Sequence, residues 1–141
     1  VVPSLKPLLG NEILKVFEAA VVVKPVMNWT SKLLVADNYY GYANSRYPGQ
    51  VWEDPMNYWK FSPISLVGNV NTPTLVMVGM DDLRTPPSEA KQLYHGLKLR
   101  KIPTVLVEIP DATHSIANRP SNLMTKIAHT IAWFNKYKKI E

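Results

Sequence analysis

Cysteine is absent from the 141 residues, and no apolar run reaches the length of about 18 residues that a bilayer span requires. Without cysteine the chain has neither a disulfide framework nor a thiolate metal site, which fits a cytoplasmic protein. The three histidines and scattered acids also lack the spacing of metal ligands. No signal peptide is recognisable, and the first residue, Val1, suggests a fragment or processed product. The remaining composition, 46% apolar and 19% charged, is that of a globular domain.

The net charge of +5 raises the question of nucleic-acid binding. The basic residues are scattered along the chain, apart from Lys136, Lys138 and Lys139 near its end. Cations at the end of a helix also interact favourably with the helix dipole. Because no nucleic-acid-binding motif accompanies the charge, we interpret it as a solvated basic surface and expect neither nucleic-acid nor membrane binding.

The most informative stretch is TLVMVGMDDLRTP, residues 74–86. Its first half is a short apolar run between Pro73 and Gly79, which is typical of a strand buried on both faces of a parallel sheet. Charged residues follow where that strand would end. Beyond them Ser88 is a candidate N-cap, and a helix is indicated by apolar residues at helical spacing: Ala90, Leu93, Tyr94 and Leu97.

Two further apolar segments predict strands, over residues 19–24 and 104–109. A last helix is predicted from about Ser121, with an apolar stripe formed by Met124, Ile127, Ala128, Ile131 and Phe134. Strands and helices therefore alternate, and this alternation predicts an α/β fold with a mostly parallel sheet flanked by helices.

The long segment 26–72 should contain elements of its own, because a structureless connection of that length is uncommon. Asp54 followed by Pro55 indicates the start of one short helix, and residues 65–67 another turn. The segment is rich in aromatic residues, which would either line a pocket for an apolar substrate group or cover the end of the sheet.

Asp82 and His114 each follow a predicted strand and stand 32 positions apart. With right-handed crossovers, both loops would leave the same edge of the sheet, so the two side chains could meet. A carboxylate that accepts the Nδ1 proton of a histidine leaves Nε2 free to accept a proton from a nucleophile. Taken singly, Asp82 is equally well explained as a turn-forming or capping acid, and His114 as a loop histidine without a task. His95 and His129 lie within predicted helices and are expected at the surface.

From about residue 17 to residue 137 the chain resembles the carboxy-terminal part of the prolyl oligopeptidase family of serine peptidases. The segments that carry the resemblance are AAVVVKPVMNW, WEDPMNYWKFSP, TLVMVGMDDLRTPPSEAKQLYHGL and TVLVEIPDATHSI. The similarity is greatest to the acylaminoacyl-peptidase and dipeptidyl-peptidase branches. It implies an α/β-hydrolase fold over residues 17–141, hydrolysis of short peptide substrates, and no cofactor.

The resemblance also implies roles for individual residues. The family's G-x-x-D falls on Gly79 to Asp82 and makes Asp82 the triad acid, and its G-x-x-H makes His114 the base, although Asp111 stands where Gly is usual. Val26 and Trp29 match a segment that helps to wall the substrate pocket. Arg84 would contact a substrate carbonyl, with pairing to an acid such as Asp81 as an equal alternative.

Several parts of the family pattern are missing. No G-x-S-x-G nucleophile motif occurs, and residues 1–16 do not resemble the family sequence expected there. The first strands of the sheet, the second oxyanion donor and the propeller domain are not represented either. We therefore expect the chain alone to be inactive and to act as one piece of a serine peptidase. The alternatives are a non-catalytic module that associates with another copy through an exposed sheet edge, and an esterase of the same fold.

Overall fold

Three parallel strands form the sheet in a computed structural model that describes residues 17–45 and 49–138. They are β1 (Ala20–Val23), β2 (Thr74–Gly79) and β3 (Thr104–Ile109), with β2 in the centre and paired in parallel to both neighbours. All three predicted strands are confirmed, as is the α/β class with a parallel sheet. The division proposed at residue 16 concerns a segment that lies outside the described residues.

The helices are α1 (Trp29–Lys32), α2 (Tyr39–Ser45), α3 (Pro55–Phe61), α4 (Pro87–Leu99) and α5 (Pro120–Tyr137). Two 3-10 helices cover Pro63–Asn69 and Ile116–Asn118. The segment between β1 and β2 therefore carries elements of its own, as predicted. None of the helices within the described ranges is long and apolar enough to cross a bilayer.

The starts of two helices show how far local sequence decides a boundary. Helix α3 begins as predicted, because the Asp54 side chain accepts the backbone N–H of Asn57 at 3.0 Å. Helix α4 begins at Pro87, one residue before the predicted cap Ser88. Its cap position is Pro86, which makes no side-chain cap hydrogen bond. A proline at the first helical position has the right φ and lacks a donor that would otherwise be unpaired.

Helices α4 and α5 cover opposite faces of the sheet. Alternate residues of β2 point to opposite sides. Val76 and Val78 pack with Leu93 and other apolar residues of α4, while Leu75 and Met77 pack with Trp133 of α5. Every residue of β2 is buried, which confirms the prediction for the central strand.

The apolar stripe predicted for α5 does not face the sheet. Met124 is 71% exposed and Ile131 is 54% exposed, whereas the residue that α5 buries is Trp133, packed beside Tyr137. Three strands form a narrow sheet that contacts only one side of the helix. Within the described residues, α5 therefore has a second apolar side that no other element covers.

Candidate active site

Asp82 lies in the loop that follows β2, and the backbone of that loop holds its carboxylate in place. Its Oδ1 accepts the backbone N–H of Arg84 at 2.9 Å and that of Thr85 at 2.7 Å. The side chain is fully buried. Buried carboxylates need hydrogen-bond donors, and here the turn of the loop provides two of them.

The loop that follows β3 carries His114 and lies directly against the loop of Asp82. The backbone N–H of Asp81 donates to the carbonyl of Ala112 at 3.0 Å. Gly79 makes this approach possible, because a Cβ there would overlap the Ala112 carbonyl and lie 2.8 Å from the Thr113 oxygen. The glycine that ends β2 therefore allows the two loops to touch.

Asp82 and His114 form a hydrogen-bonded pair. The Nδ1 atom of His114 lies 2.9 Å from Oδ2 of Asp82 and 3.2 Å from Oδ1. When the carboxylate is ionised and the ring is neutral, Nδ1 donates its proton and Nε2 keeps its lone pair, because an ionised carboxylate only accepts hydrogen bonds. The side chain of His114 is 37% exposed, so a reacting group can approach the ring. The predicted meeting of the two side chains is confirmed, and this arrangement suits a general base held by an acid.

Asp111 occupies the position where the family pattern has Gly. Its φ is 52°, in the left-handed region, where Gly meets no steric penalty and Asp is one of the better-tolerated residues. The backbone of the His114 loop at this position is therefore one that Gly would adopt without strain. The other two histidines, His95 and His129, are exposed on helices α4 and α5, as predicted.

Val26 and Trp29 follow β1, at the same edge of the sheet as the acid loop. Both are partly buried, and the Trp29 ring lies 5.4 Å from that of Tyr42. The ammonium group of Lys32 sits 3.9 Å from the centre of the Tyr42 ring and 5.3 Å from that of Trp29. Such cation–π contacts favour a fixed ring orientation.

Arg84 pairs with an acid, which is one of its two predicted alternatives, but the acid is Asp37 and not the suggested Asp81. Its Nε donates to Oδ1 of Asp37 at 3.0 Å and its Nη2 to Oδ2 at 3.2 Å. The hydrogen bond from Arg84 is the main cause that lowers the pKa of Asp37, and it raises the pKa of Arg84 in turn. The backbone N–H of Asp37 also donates to the Leu83 carbonyl at 2.9 Å, which joins the segment after α1 to the acid loop.

Three residues near the site were not identified from the sequence: Asp37, Lys32 and Glu89. Asp37 stands 47 positions from Arg84, and Glu89 stands 62 positions from one of its partners, Met27. No spacing rule joins residues so far apart. Glu89 stands in the first turn of a helix, where an acid interacts favourably with the helix dipole. That position does not indicate which groups its carboxylate binds.

A parallel sheet with helices on both faces and an Asp–His pair at its carboxyl edge is the arrangement of an α/β-hydrolase. The profile of the prolyl oligopeptidase family matches residues 10–141. The chain belongs to this family of serine peptidases.

The sequences of known proteins agree with that assignment. The chain is 31% identical over 123 residues to the uncharacterised peptidase YuxL of Bacillus subtilis, covering 86% of this chain and 19% of that protein. It is 30% identical over 131 residues to the acylamino-acid-releasing enzyme of Arabidopsis thaliana, covering 88% of this chain and 17% of the enzyme. The chain thus spans about a fifth of the length of these relatives.

An acylaminoacyl peptidase solved in complex with Z-Gly-Gly-Phe-chloromethyl ketone superposes with a TM-score of 0.83 at 22% identity, over 95% of this chain and 22% of that one. The uncomplexed acylaminoacyl peptidase of Pyrococcus horikoshii gives a TM-score of 0.78 at 22% identity, over the same shares of the two chains. These likenesses show the α/β-hydrolase fold.

Proposed function

We propose that this chain supplies the acid, Asp82, and the base, His114, of a serine peptidase whose nucleophile lies on polypeptide outside the chain. The observation that carries the proposal is the hydrogen bond of 2.9 Å between Nδ1 of His114 and Oδ2 of Asp82. Membership of the prolyl oligopeptidase family supports it, as do relatives named acylamino-acid-releasing enzyme and dipeptidyl-peptidase 5.

In this mechanism Nε2 of His114 accepts the proton of a serine hydroxyl as its oxygen attacks the peptide carbonyl. The same proton is then given to the amine that leaves. Asp82 keeps the ring in the required tautomer and stabilises the imidazolium that forms. Removing the nucleophile of such a triad costs a factor on the order of 10⁶ in turnover, so the 141 residues alone are expected to be inactive.

The proposed substrates are short peptides, cleaved to release an acylated residue or a dipeptide. Val26 and Trp29 would wall the pocket for the residue before the scissile bond. Arg84 would contact a substrate carbonyl through donors that Asp37 leaves free, since a guanidinium has five N–H groups and Asp37 accepts two. In that case Asp37 orients the arginine.

The proposed partner is the rest of a hydrolase domain, together with a propeller. Two features support it: within the described residues β1 has a neighbour on one side only, and α5 has an uncovered apolar side. The same surfaces also support a second candidate, a non-catalytic module that associates with another copy through a sheet edge.

Covalent labelling distinguishes a piece of a serine peptidase from a non-catalytic module. A fluorophosphonate, which reacts with activated serines, should give no adduct with the chain. A peptide chloromethyl ketone should alkylate His114: Nε2 forms a bond to the CH₂ carbon, the C–Cl bond breaks, chloride leaves, and the Nδ1 proton stays on the hydrogen bond to Asp82. His95 and His129 serve as exposed controls within the same molecule.

The expected result is labelling of His114 that saturates with probe concentration and is faster than that of both control histidines. The variant Asp82→Asn should slow it by more than about tenfold, because the amide favours the wrong tautomer. Equal labelling of all three histidines would contradict the peptidase proposal. So would a stoichiometric fluorophosphonate adduct.

A further inference from the structure

Glu89, in the first turn of α4, is fully buried and accepts four hydrogen bonds. Its Oε2 accepts the backbone N–H of Met27 at 2.9 Å and that of Asn28 at 2.7 Å. Its Oε1 accepts the hydroxyl of Ser31 at 2.8 Å and the side-chain amide of Gln92 at 3.1 Å. Three of these four donors belong to the segment that contains Val26 and Trp29, so the carboxylate serves that segment more than its own helix.

Ser62, also fully buried, holds the next amide along the chain. Its Oγ accepts the backbone N–H of Trp29 at 2.9 Å and donates to the Tyr58 carbonyl at 2.8 Å. The N–H groups of residues 27, 28 and 29 are therefore all bound by buried side chains from distant parts of the sequence. In this segment, side-chain oxygens accept the backbone hydrogen bonds that a neighbouring strand would otherwise accept.

The position of Glu89 relates this segment to the acid loop. Four residues before it, the backbone N–H of Thr85 donates to Asp82 at 2.7 Å. Residues 85–89 therefore hold two carboxylates in place. One is that of Asp82, which orients His114, and the other is that of Glu89, which binds the amides of residues 27 and 28. A shift of Glu89 would move the Trp29 segment with respect to the Asp82–His114 pair.

We propose that Glu89, with Ser62, is a positioning residue that sets the distance between the Val26–Trp29 pocket wall and the Asp82–His114 pair. The proposal rests on the function proposed above. Glu89 itself touches no substrate and acts through the backbone of residues 27–29. Its loss should weaken the binding of a peptide more than it changes the reactivity of the histidine.

The experiment measures alkylation of His114 in the intact 141-residue chain by Z-Gly-Gly-Phe-chloromethyl ketone. The concentration for half-maximal rate, KI, reports peptide binding, and the limiting rate constant, kinact, reports the imidazole. Glu89→Ala should raise KI about tenfold, since displacement of a binding group by about 1 Å has large effects, and should leave kinact near the wild-type value.

Three further variants complete the design. Glu89→Gln keeps a carbonyl oxygen for the two backbone amides and should restore KI close to wild type. Ser62→Ala should raise KI because the Trp29 amide loses its acceptor. Glu108→Ala is the matched control. It removes an acid of β3 that pairs at 3.1 Å with Lys91 of α4, the helix that also carries Glu89, and it should change neither KI nor kinact.

Melting temperatures are measured in parallel, and if Glu89→Ala does not fold, the KI of Ser62→Ala decides the matter. The proposal is overturned if folded Glu89→Ala and Ser62→Ala keep the wild-type KI, or if kinact falls in them as much as KI rises. Should wild-type His114 show no selective, saturable labelling, the proposed peptidase function fails and this inference fails with it. Selective labelling of His114 with an unchanged KI in Glu89→Ala and Ser62→Ala refutes the positioning role alone.

Discussion

Replacing Gly79 by Ala tests the contact between the two loops that carry Asp82 and His114. The added Cβ would overlap the Ala112 carbonyl and lie 2.8 Å from the Thr113 oxygen, where ordinary contacts begin at 3.4 Å. The His114 loop must therefore move by at least about 0.6 Å, and more at Ala112. A shift of this size is enough to lengthen a hydrogen bond of 2.9 Å beyond useful range.

The stability cost follows from the same geometry. Overpacking typically costs about 1–3 kcal/mol, and the upper end applies here because the obstacle is backbone and not a flexible side chain. The Ala112 carbonyl also accepts the Asp81 amide, so moving it weakens a second hydrogen bond. We expect a loss of about 3 kcal/mol in the free energy of unfolding, together with slower alkylation of His114.

Urea denaturation measures the first effect, and the chloromethyl ketone reaction measures the second. Gly68→Ala is the matched control, since Gly68 is exposed and a Cβ there has no neighbour within 4 Å. It should change the free energy of unfolding by less than about 0.5 kcal/mol. If Gly79→Ala is as stable as Gly68→Ala and reacts at the wild-type rate, the described contact between the loops is wrong.

Substitutions at four further positions have defined outcomes. Asp111→Ala should lose about 1 kcal/mol against Asp111→Gly in urea denaturation, because Ala is strained at φ 52° and Gly is not; equal stabilities would refute this. Arg84→Gln should raise the Asp37 pKa toward 3.8 in an NMR titration. The Arg84–Asp37 pair stabilises the fold above pH 3.8, and this stabilisation is lost as the pH falls through the lowered pKa of Asp37. The free energies of unfolding of the wild type and Arg84→Gln should therefore converge in acid. Ile131→Glu should leave stability within about 0.5 kcal/mol of wild type, whereas Leu97→Ala should lose about 2–5 kcal/mol in the same urea assay.

The positions of the strands could be predicted because each depends on a local pattern. The bounds of β3 are the predicted residues 104–109, and the unbroken apolar run 75–78 correctly indicated a strand buried on both faces. The meeting of Asp82 and His114 was predictable for a topological reason, since parallel strands present their carboxyl ends at one edge.

The partners of individual side chains could not be predicted in the same way. For Arg84 the sequence left two alternatives open, a contact with a substrate carbonyl and pairing with an acid such as Asp81. Its acid partner is Asp37, which the fold brings from the segment after α1. Glu89 has the local pattern of a helix-terminal acid, yet its carboxylate binds backbone amides more than 60 positions away. Such contacts depend on how separate elements dock, and no local spacing encodes this.

The stripe of α5 shows a different limit. Its apolar spacing is real, but the sheet within the described residues contacts the side that bears Trp133 and leaves Ile131 exposed. Periodicity shows that a helix has an apolar side. It does not show which element covers that side, or whether that element belongs to the same chain.

The state of the His114 ring tests the account most directly. In ¹⁵N-labelled protein at a pH where the ring is neutral, the nitrogen chemical shifts should show a protonated Nδ1 and an unprotonated Nε2. In Asp82→Asn the proton should move to Nε2, because the amide NH₂ can then donate to Nδ1. A wild-type ring protonated at Nε2, or a tautomer unaffected by Asp82→Asn, would contradict the assignment of Asp82 and His114 as acid and base.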